Sequence, residues 1–184
     1  MNIANKVSTF RILTVPFLIA SLLYYSPRKD YLRFVALAVF LLAVISDAVD
    51  GYVARKKKQH TPAGLILDPL GDKILLMSAF IFLHLVNTGI KFPLWVTLIV
   101  VSRDAIILLG IIAIFLVGQK LDIKPTIWGK LTTSFQMISV ISVLVRFKFS
   151  YALWTIAICF TVFSGMDYIR KGFKVLYAPG GNYN

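Results

Sequence analysis

Four aspartates at two close spacings are the residues of this chain best suited to chemistry: Asp47 with Asp50, and Asp68 with Asp72. An α-helix turns by about 100° per residue, so Asp47, Asp50, Gly51 and Ala54 fall in one stripe. Two carboxylates there share a face with two residues that have almost no side chain. Asp68 and Asp72 are about one turn apart and also share a face. Pro69 is expected where the next helix has its first residue. Four carboxylates brought together repel one another and are pushed toward protonation unless cations sit between them. Divalent metal is the simplest remedy. Oxygen-only ligands select hard ions such as Mg²⁺, Mn²⁺ or Ca²⁺ over zinc, and a pair of such ions is a recurring device for phosphoryl transfer. Arg55 and the run Lys56, Lys57, Lys58 lie beside the carboxylates, where a phosphate-bearing substrate would enter.

Each of these residues also has a plainer reading. Asp68 before Pro69 could be an ordinary helix N-cap, Asp47 and Asp50 could be ion-paired, and the basic run could be a topology signal alone. The spacing of the whole set is what separates the two readings.

The elements that must position these residues are set by composition. Of 184 residues, 58% are hydrophobic and only 15% charged, against roughly 25% charged in an ordinary soluble domain, and the mean hydropathy is +0.80. That composition argues against a water-soluble globule. The charge is lopsided, with 20 Lys and Arg against 8 acids, all of them Asp, for a net +12. Nucleic acid would need the basic residues gathered on a soluble face. Here they sit between long apolar runs, so the excess belongs to membrane topology and lipid headgroups. The lone Cys159 lies in an apolar run and permits no disulfide framework within the chain.

A span needs about 20 mostly apolar residues, and the sequence predicts an all-α, polytopic membrane protein with six, at 9–26, 31–55, 69–89, 92–118, 128–147 and 150–172, in a single domain over 1–184. Ser26-Pro27, Thr61-Pro62-Ala63-Gly64 and Asn87-Thr88-Gly89 supply breaks between them. Twelve basic residues fall on the side of the two termini and six on the other. The positive-inside rule therefore predicts a cell-membrane protein with both termini and the 55–68 connector cytoplasmic. The four carboxylates then gather at the cytoplasmic ends of the second and third spans, and ionisable groups at membrane depth are functional candidates by default.

Eight positions, Asp47, Asp50, Gly51, Ala54, Arg55, Gly64, Asp68 and Asp72, reproduce an ordered pattern: Asp, two residues, Asp-Gly, two residues, Ala-Arg, eight residues, Gly, three residues, Asp, three residues, Asp. This pattern resembles the signature of the CDP-alcohol phosphatidyltransferase family, whose core is six transmembrane helices with the signature across the second and third. The resemblance implies transfer of a phosphatidyl group from a CDP-linked lipid to an alcohol, with release of CMP. It also implies that Asp47, Asp50, Asp68 and Asp72 hold Mg²⁺ or Mn²⁺, two ions in all, and that Asp72 is the general base. Gly51 and Ala54 would leave room for the cytidine nucleotide, Arg55 would contact its phosphates, and Gly64 would allow close backbone approach. CDP-diacylglycerol and membrane lipid are the implied partners, and a homodimer the implied assembly.

Further stretches bear on the acceptor: Asn5 to Arg11, Asp68 to Lys73, Arg103-Asp104, and Trp128 to Thr133 with Gln136-Met137. They look like the members of the family whose acceptor is sn-glycerol 3-phosphate. Arg103, a cation inside an apolar span, and Lys130, at the start of the fifth helix, could bind that acceptor's phosphate. Equally, Arg103 could pair with Asp104, and Lys130 could snorkel to the interface. Phosphatidylglycerol as acceptor is the alternative within the family. A divalent-cation transporter is the alternative from another class, disfavoured because the acids crowd one end of two spans instead of lining a path across several.

Overall fold

The computed structural model describes residues 3–57, 64–116 and 127–177, with side chains described over 10–46, 70–110 and 127–168 and at Ile112. All of the regular structure among these residues is helical: α1 (Ile3–Leu23), α2 (Tyr31–Lys57), α3 (Gly64–Leu85), α4 (Leu94–Leu116), α5 (Ile127–Leu144) and α6 (Ser150–Tyr177), with a single 3-10 turn at Pro27–Lys29. Six helices were expected and six are present among the described residues. At about 1.5 Å per residue, even the 18-residue α5 is roughly 27 Å long. By length and hydropathy alone, Ile127–Leu144 is the one helix among the described residues that suffices to cross a membrane, while Phe10–Leu23 and Tyr31–Ser46 are shorter apolar stretches.

One boundary corrects the expectation in a way that matters for the site. The third helix begins at Gly64, so Asp68 and Pro69 lie within its first two turns and Asp68 is not its N-cap. Proline's fixed φ is a helical one, and near a helix start its missing N–H forfeits a single bond. The apolar Leu65-Ile66-Leu67 therefore continues the helix upstream instead of forming a connector. Pro16 is likewise carried inside α1.

The helices pack α1 against both α2 and α3, α3 against α4, α4 against α6, and α5 against α6, with lighter contacts of α5 to α2 and α3. Apolar side chains fill the centre, among them Leu18, Leu22, Phe40, Leu76, Phe80, Leu83, Phe92 and Val140, all inaccessible to solvent. Phe80 stacks on Phe92 at 4.4 Å between ring centroids, and Phe92 meets Trp154 at 5.6 Å. His84 is part of this packing, with Nδ1 2.9 Å from the carbonyl oxygen of Phe92. The outer surface is also apolar, exposing Leu13, Phe17, Leu42, Leu98, Leu109 and Phe163. Arg11, Arg103, Asp104, Thr132, Gln136 and Ser164 are buried. An apolar exterior around a partly polar interior inverts the usual globular arrangement.

At one end of the bundle a polar clamp joins three connectors. The Arg146 guanidinium donates to the Thr88 carbonyl, to Tyr25 Oη at 2.6 Å and to Asp30 Oδ1 at 2.8 Å. Asp30 also accepts from Arg33 Nη2 at 2.9 Å, and Arg33 Nη1 reaches back to the Leu144 carbonyl. The hydrogen bond from Arg33 holds the Asp30 carboxyl below its ordinary range, with the charges of Arg33 and Arg146 adding to the effect. Because residues 24–30, 86–93 and 145–149 meet here, the helices run alternately up and down. The end of α2 and the start of α3, which carry the signature, both lie toward the far end.

The clamp imposes a steric demand at Gly89, whose φ is +105° and where an added Cβ would lie 2.9 Å from Arg146 Nε. Gly89→Ala is expected to destabilise the fold by roughly 1–3 kcal/mol, from left-handed strain together with displacement of Arg146. Thermal unfolding in detergent measures it, and an unchanged midpoint would show that the connector adapts freely.

Candidate active site

Asp47, Asp50, Gly51, Ala54 and Arg55 lie on the second half of α2, and Gly64, Asp68 and Asp72 on the first three turns of α3. The helical backbone thus gives each aspartate pair the one-turn spacing that the sequence predicted. Apart from Asp72, the side chains of these signature residues lie outside the described residues. Among the described residues no group of three or more His, Cys or acidic side chains converges on a point. For the four signature carboxylates, the donor set is all oxygen and anionic, which suits a hard divalent ion.

Asp72 is the signature residue with a described environment. It is about a quarter exposed and forms an ion pair with Arg11, which is 2% exposed. Arg11 comes from α1, the helix that packs along both α2 and α3. In sequence Arg11 stands out only as the end of the Asn5 to Arg11 stretch, and nothing local places it in the site. A cation one turn inside an apolar run was the available signal.

The next residue along α3 opens a second ionic group. Lys73 Nζ donates to Asp104 Oδ1 at 2.7 Å, and Arg103 Nη1 donates to the same oxygen at 2.6 Å. Arg103 Nη2 continues to Ser164 Oγ at 2.6 Å. Side chains of three helices, α3, α4 and α6, are thereby tied through a carboxylate that is wholly inaccessible to solvent. The alternative that paired Arg103 with Asp104 is formed. Two basic side chains share one carboxylate oxygen there, and Arg103 Nε has no partner among the described residues. Arg103 also lines a crevice of about 370 Å³ between α4 and α6, beside Leu98, Ile106, Val162 and Tyr168.

Lys130 stands exposed in the first turn of α5. No described contact joins it to Arg103. Two turns further along α5, Gln136 Nε2 donates to Thr161 Oγ1 at 3.2 Å, coupling α5 to α6 inside the bundle.

The chain is similar to several known proteins. The chain is 30% identical over 185 residues to the CDP-diacylglycerol--glycerol-3-phosphate 3-phosphatidyltransferase of Aquifex aeolicus (strain VF5), covering 96% of this chain and 99% of that protein. It is 31% identical over 193 residues to the protein of the same name from Bacillus subtilis (strain 168), covering 95% and 97%. A probable phosphatidylglycerophosphate synthase of Mycobacterium tuberculosis (strain ATCC 25618 / H37Rv) is 30% identical over 94% of this chain and 82% of its own length. The CDP-alcohol phosphatidyltransferase family profile matches residues 1–163, the stretch that holds both signature helices and the Arg103–Asp104 group. The chain belongs to the CDP-alcohol phosphatidyltransferase family.

Proposed function

We propose that this protein transfers the phosphatidyl group of CDP-diacylglycerol to sn-glycerol 3-phosphate, giving phosphatidylglycerophosphate and CMP. The observation that carries the reading is the complete signature on the end of one helix and the start of the next, both packed on α1, in a chain similar along nearly its whole length to enzymes named for that reaction.

Asp47, Asp50, Asp68 and Asp72 would hold Mg²⁺ or Mn²⁺, two ions in all. Bound there, such ions neutralise diphosphate charge and stabilise CMP as leaving group. Arg55 contacts the diphosphate of the donor, Gly51 and Ala54 leave space for its cytidine, and Gly64 allows the backbone close to the nucleotide. Asp72 accepts the proton of the acceptor hydroxyl. As that proton leaves, the acceptor oxygen bonds to the lipid-proximal phosphorus, the bond to the CMP oxygen breaks, and CMP departs with the bonding electrons. Arg103 and Lys130 hold the acceptor's phosphate; the Arg103 guanidinium lines a crevice and keeps an Nε–H without a described partner, which supports the first of these roles.

The chain does this as one membrane-embedded domain of six spans over residues 1–184, working as a homodimer in the cell membrane with both termini and the site on the cytoplasmic side. The apolar exterior and the excess of basic residues at the signature end support that placement. Acyl chains then stay in the bilayer while cytidine and the polar acceptor approach from water.

The test gives purified protein CDP-diacylglycerol, Mg²⁺ or Mn²⁺, and a panel of alcohols, then measures CMP release and identifies the lipid formed. Glycerol 3-phosphate is expected to be the preferred acceptor. Arg103→Gln and Lys130→Gln should each raise its KM about tenfold, the worth of a charge-assisted contact of roughly 1.5 kcal/mol, with little change in KM for the donor. Preference for phosphatidylglycerol would replace the acceptor assignment, and no CMP with any alcohol would overturn the reading.

A further inference from the structure

We propose that Arg11 is a positioning residue of this site: its guanidinium fixes the Asp72 carboxylate and is the built-in cation with which divalent ions must share the aspartates. This inference rests on the metal-dependent reading above. Arg11 is among the largest wholly enclosed side chains of the described residues, at 2% exposure, and it is ion-paired with Asp72. It stands on α1, which packs along both signature helices. The site is therefore built by three helices, the third contributing charge of the sign opposite to the signature carboxylates.

A buried guanidinium is costly to desolvate and persists where a carboxylate compensates it. Four carboxylates near one another face the converse difficulty, since they repel without cations. Arg11 answers both, giving the cluster a permanent positive charge that neither dissociates nor exchanges. The same charge repels a divalent ion placed on the aspartates, because like charges at a few ångströms interact strongly in a partly dry environment. Arg11 thus weakens metal binding while holding Asp72 in the orientation from which it accepts a proton. These two effects have opposite signs on removal of the guanidinium, which separates a positioning role from mere support of the fold.

The experiment uses the full-length protein in detergent and Mn²⁺ alone as probe, with free Mn²⁺ read by electron paramagnetic resonance. Arg11→Gln is expected to bind Mn²⁺ about tenfold more tightly than the unaltered protein, while kcat for CMP release falls at least tenfold. Arg11→Met, an apolar replacement of similar length, should give the same tightening. Arg11→Lys, which keeps the charge, should stay within threefold in Mn²⁺ affinity. Unchanged or weaker Mn²⁺ binding in folded Arg11→Gln and Arg11→Met overturns the proposal. So does loss of the fold in both, which would make Arg11 structural only. If the unaltered protein binds no Mn²⁺, it is the metal-dependent reading itself that fails.

Discussion

Asp72→Asn is expected to lower kcat for CMP release by about 10³-fold at saturating donor and acceptor, within the 10²–10⁴ that a positioned general base contributes. The amide has nearly the shape of the carboxylate, and its carbonyl oxygen can still accept from the Arg11 guanidinium, so the contact between α1 and α3 survives the change. What disappears is the negative charge and the capacity to take a proton. The measurement is initial-rate CMP release with the thermal midpoint recorded in parallel. A small rate loss, or a large one that merely tracks unfolding, would remove Asp72 from the role of base. Asp72→Glu makes the complementary point. It retains the basic group but pushes it outward by one methylene, so partial activity is expected from a site that needs both charge and position.

The largest effect on stability is expected at Asp104. Its carboxylate is completely enclosed and one of its oxygens accepts from both Lys73 and Arg103. Asp104→Ala would leave two cations inside the bundle with no anion between them, and breaking a buried ionic group in this way costs about 3–5 kcal/mol. Asp104→Asn should cost less, because an amide oxygen can still accept one of the two donors. The sharper check is compensation. Lys73→Met in the Asp104→Ala background removes one of the stranded charges and should recover part of the loss. Unfolding by heat or denaturant in detergent reads these proteins together with Lys73→Met alone, and additivity of Lys73→Met and Asp104→Ala would show that the group is not energetically coupled.

The helices were legible because each apolar run is long and the breaks between runs carry Ser-Pro, Thr-Pro or Asn-Thr-Gly. The one-turn spacing of the aspartate pairs was legible for a related reason: helical periodicity depends on local sequence alone. Asp68-Pro69 misled by the same local logic. An Asp before a Pro reads as a helix start, yet the chain enters α3 four residues earlier at Gly64. Arg11 and Asp104 were less readable still. A basic residue near the end of an apolar run looks the same whether it faces headgroups or reaches a carboxylate on another helix, and only the packing of α1 on α3 distinguishes the two. Arg103-Asp104 showed its pairing in sequence, but not that Lys73, thirty-one positions away, shares the same oxygen.

The clamp at the end opposite the signature orders events in time. Tyr25 and Asp30 leave the ribosome with the first helical hairpin and Thr88 with the second, well before Arg146 of the third has been synthesised. Until then Asp30 has Arg33, three residues away, to hold its charge. Arg146, with its φ of 59°, arrives last and engages both earlier connectors at once. The third hairpin therefore acts as the bolt of the assembly. A nascent chain that has emerged only through α4 holds both signature helices but lacks the residue that locks their far ends in register.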